Sequence, residues 1–100
     1  MSRLKPDDRK MQILKAALIV ASKSGGWMRL TRQMVATEAG CAEGLVSKYF
    51  GTMTDFRRTI MRTAVHNNIL SVVAQGLAYG DKHAQKAAPE LRSKALATLQ

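Results

Sequence analysis

The stretch from Thr31 to Gly51, reading TRQMVATEAGCAEGLVSKYFG, constrains the fold more than any other part of the chain. It contains two short helical patterns with only Ala39-Gly40-Cys41 between them. Thr31 suits an N-cap, because its hydroxyl can accept from an orphan backbone N–H of the first turn. Val35, Ala36 and Ala39 recur at helical spacing and form one small apolar face. Gly40 stands where the first helix must stop, since glycine takes the left-handed cap conformation without strain. Cys41 or Ala42 then opens a second helix, which carries Val46, Tyr49 and Phe50 inward.

A small residue at Ala36, a glycine in the turn and an aliphatic plug at Val46 are what a helix-turn-helix requires, because its two axes cross closely. Two core helices of an arbitrary small bundle are the alternative. On the first reading, Arg32 to Ala39 is the positioning helix. Arg29, Thr31, Arg32 and Gln33 then lie at its N-terminus, where backbone N–H groups and guanidinium neighbours suit a phosphate. Ala42 to Phe50 is the recognition helix. Its exposed face is Ala42, Glu43, Gly44, Ser47 and Lys48, mostly small side chains that let the backbone approach base edges. Lys48 can reach guanine or a phosphate, Ser47 can serve either partner, and Glu43 can accept from cytosine. Tyr49 can place its hydroxyl on a phosphate while its ring packs inside.

Charge supports that direction. The net charge is +9 and the pI about 10.3. Residues 1–63 hold 12 Lys/Arg against 5 Asp/Glu, and residues 64–100 hold 4 against 2. Positive charge thus gathers on the part with the two short helices, and nucleic acid is the first candidate partner. A merely solvated basic surface is the alternative. Arg3, Lys5, Arg9 and Lys10 precede or open the first helix. They form a basic arm suited to phosphate or the minor groove, unless the tail is free.

Other classes find little purchase. Cys41 is the single cysteine, so neither an intrachain disulfide nor a cysteine metal cage is expected, and it reads as a small buried hydrophobe. His66 and His83 have no nucleophile or carboxylate at suggestive spacing, and no phosphate loop or nucleotide fingerprint appears. No enzyme, cofactor or metal is expected. The longest apolar run, Ala16 to Ala21, is too short to span a bilayer, and the polar N-terminus shows no signal-peptide pattern. A cytoplasmic setting without membrane contact is the expectation.

The rest of the chain reads as an all-α single domain, residues 1–100, with a DNA-binding head over 1–65 and C-terminal helices over 66–100. A first helix runs from about Asp7 to Ser24, started by Pro6, Asp7 and Asp8. Met11, Leu14, Leu18 and Ala21 make one stripe, and Ile13, Ala17 and Val20 the adjoining one. Trp27 reads as a hydrophobic plug under the following loop. A long fourth helix opens with Thr52 as N-cap and ends at Gly80. Arg57, Arg58 and Arg62 lie on its outer side. A helical piece over Lys82 to Ala88 follows, and Pro89 opens a last helix ending near Gln100. Leu70, Val73, Leu77, Leu91, Leu96 and Leu99 exceed what this short C-terminal part can hide. They are expected to form a homodimer interface, with packing back onto the head as the alternative.

The run LTRQMVATEAGCAEGLVSKYFGTMTDFRRTIM resembles the N-terminal DNA-binding domain of tetracycline-repressor (TetR) family regulators. The matching positions are Thr31, Val35, Ala36, Ala39, Gly40, Gly44, Val46, Tyr49, Phe50, Thr52 and Phe56, and the likeness covers roughly residues 10–65. Ser47 stands where the family often has Tyr. The resemblance implies a three-helix head that reads the major groove through residues 42–49, and a fourth helix leading to a dimerisation part. Family members usually continue for another hundred residues as an effector-binding domain. A chain ending at Gln100 lacks that length, so no small-molecule effector is expected. The resulting expectation is a sequence-specific regulator, most simply a repressor, that binds a palindromic operator in double-stranded DNA as a homodimer. A phage or other mobile element is a plausible source. A small protein-binding module and a non-specific DNA-binding protein are the alternatives.

Overall fold

Helix α1 (Pro6–Ser22) begins as the sequence predicts, with Pro6 in its first turn and Asp7 and Asp8 at the positive end of its dipole. The computed structural model describes residues 5–99. The buried face of α1 is Ile13, Ala16, Ala17, Val20 and Ala21. Met11, assigned above to the inner stripe, is 51% exposed, and Leu14 and Leu18 are only partly covered. The reason lies in the partners. Helices α3 (Arg32–Ala39), α5 (Met53–His66) and α6 (Leu70–Tyr79) all pack against α1. Ala16 and Ala17 let backbones approach closely, so the small-residue face wins the centre.

The helix stops two residues before the predicted end. Gly25 then takes a left-handed conformation, φ 68°, and starts a single turn, α2 (Gly26–Arg29). This turn drives Trp27 into the core. Its indole Nε1 donates to the Arg57 carbonyl at 3.0 Å, and its ring lies 6.2 Å from that of Tyr79. Trp27 is therefore a plug, held by one hydrogen bond from its polar edge.

The expected long fourth helix is two helices. The chain leaves α5 at Asn67, Asn68 adopts φ 58°, and α6 begins at Leu70. Asparagine tolerates the left-handed region, and its side chain competes with the helical backbone. The break lets α6 turn back over the core. Gly80 ends α6 in the left-handed conformation as predicted. Next come α7 (Lys82–Gln85), capped by the Asp81 carboxylate, and α8 (Pro89–Ala97), with Pro89 in its first turn.

One hydrophobic cluster runs from Ile13 on α1 to Ala95 on α8. Phe56, Ile60 and Met61 of α5 are fully buried at its centre, and the Phe50 and Phe56 rings stack at 4.8 Å. Val72, Val73 and Ala74 of α6 belong to the same cluster. This corrects the surplus assigned above to a partner. Val73 is fully buried within its own chain, and Leu70 and Leu77 pack partly against the core. Leu91 is half-buried. Only Leu96 and Leu99 stay largely exposed, at 48% and 56%. Among the described residues no helix is long and apolar enough to cross a membrane.

Candidate functional site

Helix α3 begins where Thr31, in extended conformation, accepts the Met34 N–H on its hydroxyl at 3.1 Å. The hydroxyl proton stays available for an outside acceptor. The helix ends at Gly40, φ 71° and ψ 36°. There the Cys41 N–H reaches back to the Ala36 carbonyl at 3.0 Å and the Gly40 N–H to Thr37 at 3.3 Å. This pairing satisfies the last carbonyls while reversing the chain. Ala42 precedes α4 (Glu43–Phe50) as an N-cap without a side-chain acceptor.

The faces of α4 separate as its 3.6-residue period requires. Val46 is 1% exposed, Phe50 is buried, and Leu45 and Tyr49 are half-buried. Ala42, Glu43, Gly44, Ser47 and Lys48 all lie on the surface. Lys48 Nζ stands 5.7 Å from the centre of the Tyr49 ring, an attractive cation–π contact that leaves the ammonium in solvent. Lys10 of α1 makes the same contact with Phe50, also at 5.7 Å. That contact could not be read from sequence spacing. It puts the cation of Lys10, one of the basic residues that open the first helix, beside the end of α4. Arg9 is likewise inside α1, its guanidinium donating to Gln12 at 2.9 Å. Lys5 is exposed immediately before α1, and Arg3 lies outside the described residues.

The remaining predicted residues divide by what they touch. Arg29 is exposed at the end of α2. Arg32 is half-buried, and its guanidinium donates to the Gly51 carbonyl at 3.5 Å, tying the start of α3 to the end of α4. Gln33 is exposed and lines a shallow groove with Val20, Lys23, Met34, Thr37 and Glu38. Arg57 donates to the Met28 carbonyl at 3.3 Å, and Arg58 approaches Asp55 at 3.7 Å. These two are therefore less free than an outer stripe of arginines implies.

Gly51 closes α4 with φ 73° and ψ −138°, close to backbone space that only glycine enters readily. Thr52 then caps α5, accepting the Asp55 N–H at 3.1 Å. Ion pairing neutralises little of the positive charge. Among the described residues the pairs are Arg58–Asp55 and Lys94–Glu90. Lys10, Arg29 and Lys48 belong to neither pair, and α3 and α4 each carry one cation and one carboxylate, Arg32 with Glu38 and Glu43 with Lys48. Comparison with protein-family models, curated proteins and solved structures gives no match for this chain.

Proposed function

We propose that the chain is a sequence-specific double-stranded DNA-binding regulator, and that α3, the Gly40 turn and α4 act as a helix-turn-helix of the kind found in TetR-like heads. The observation that carries this reading is the division of α4. Val46 and Phe50 anchor it, while Ala42, Glu43, Gly44, Ser47 and Lys48 present a small, hydrogen-bonding ridge to solvent. Such a ridge fits the major groove, where base edges are read by direct contact. Arg29, Thr31 and Lys5 suit backbone phosphates, which position a protein without specifying sequence. Arg32 acts mainly by holding the turn after α4.

One recognition helix covers too few base pairs for specific binding at physiological salt. A homodimer on a palindromic site removes that shortfall, with half-sites roughly 34 Å apart. Leu96 and Leu99, with half-buried Leu91, supply the apolar surface for a second copy.

Selection of bound duplexes from a random pool, followed by anisotropy titration at several salt concentrations, tests the proposal. A recovered palindrome with a strong preference over scrambled duplex is expected. A steep salt dependence without sequence preference would indicate non-specific coating. Absence of duplex binding at low salt would refute the reading and leave a protein-binding module.

A further inference from the structure

Four of the seven glycines have positive φ, and these conformations account for them. Two others are crowded. A Cβ on Gly26 would run into the Val20 carbonyl, and one on Gly76 into Met61 and Ala84. Gly44 has neither reason. It is the second residue of α4, without a positive φ, and among the described residues nothing stands within 4 Å of where its Cβ would be. Glycine at an exposed helical position weakens the helix relative to alanine. Among the described residues, no contact repays the cost of glycine at position 44.

The position of Gly44 suggests what does. At about 100° per residue it stands about 200° round the helix from Val46, on the side opposite the core. Ser47 and Lys48, three and four residues on, flank it on the same outer face. A surface that docks squarely on the outer face of α4 comes to lie opposite Gly44, between Glu43, Ser47 and Lys48. A side chain there would hold the backbone away and draw Ser47 and Lys48 out of hydrogen-bonding range.

Resting on the reading of α4 as a recognition helix, we infer that Gly44 is a close-approach residue, whose missing side chain seats the first turn of α4 against the base edges of duplex DNA. Stability and binding should then move in opposite directions. In Gly44→Ala the melting temperature is expected to rise by roughly 2–6 °C, from helix propensity alone. Affinity for the selected duplex is expected to fall at least tenfold, and Gly44→Leu to bind more weakly still.

Thermal melts and anisotropy titrations on the full chain read both quantities. A Gly44→Ala protein that binds within twofold of the parent overturns the inference while the DNA-binding reading stands. A lowered melting temperature also overturns it, by placing the reason for glycine inside the fold. A parent chain that binds no duplex refutes the underlying reading instead, and is recognised because it precedes any comparison of variants.

Discussion

The side-chain oxygen of Gln75 accepts the backbone N–H of Trp27 at 2.8 Å, across 48 residues of chain. The amide nitrogen of the same side chain donates to the Ala21 and Lys23 carbonyls near the end of α1. One residue of α6 therefore satisfies both ends of the α1–α2 junction, where a helix terminus would otherwise leave backbone groups unpaired. Gln75→Leu should cost about 1–3 kcal/mol, since it strands partly buried polar groups. Urea denaturation checks this, and an unchanged midpoint would show that water replaces the side chain fully.

Gly40 and Gly51 both have positive φ but should respond differently. Gly40 sits in the left-handed region with open space around it, so Gly40→Asn should be tolerated and Gly40→Val should cost about 1–2 kcal/mol. Gly51 is outside that region, and a Cβ there would stand 3.3 Å from the Asp55 carboxylate. Gly51→Ala should cost about 2–3 kcal/mol, more than Gly40→Ala. Thermal melts of the two alanine variants side by side decide the order.

Ser47→Ala should leave the melting temperature nearly unchanged, because the side chain is exposed, and Lys48→Ala should lower it only slightly, through the lost contact with the Tyr49 ring. Each should weaken binding to the selected duplex by about 1–3 kcal/mol if it contacts a base. Equal affinity of both variants and the parent would remove α4 from base readout.

Replacing Arg3, Lys5, Arg9 and Lys10 by alanine should weaken binding to all duplexes alike. The slope of log affinity against log salt should fall by about 0.9 for each phosphate that is no longer neutralised. Lys10→Ala alone should also lower stability slightly, because its ammonium lies over the Phe50 ring. A weakening confined to the selected duplex would indicate that the arm reads bases.

Val73 and the pair Leu96 and Leu99 separate core from interface. Val73→Ala should cost about 2 kcal/mol at any protein concentration, since it opens a cavity in the protomer core. A Leu96→Ser, Leu99→Ser double variant should keep the fold and sediment as a monomer. Truncation after His66 removes Val72, Val73, Ala74 and Ala84 from the common core, so the remaining head should not fold by itself. A parent chain that sediments as a monomer near 11 kDa, free and on a half-site, would sink the dimer proposal.

Local chemistry was legible in the sequence because it depends on near neighbours. The Thr31 and Thr52 caps, the Gly40 and Gly80 stops, and Pro89 at the start of α8 each act over three or four residues. The inward Val46 and Phe50 and the outward Ser47 and Lys48 follow from helical period alone. Tertiary structure decided what depends on distant partners. Ile13 and Ala16 displaced Met11 from the core because α3, α5 and α6 approach the small-residue side of α1. Val73 turned inward because the chain breaks at Asn68 and folds α6 back over α5, where periodicity read one continuous helix. Lys10 came to stand over Phe50, a partner on another helix that only the folded chain brings near. Helical period tells which residues share a face, but which of two adjoining apolar faces is buried depends on the surfaces that arrive to cover it.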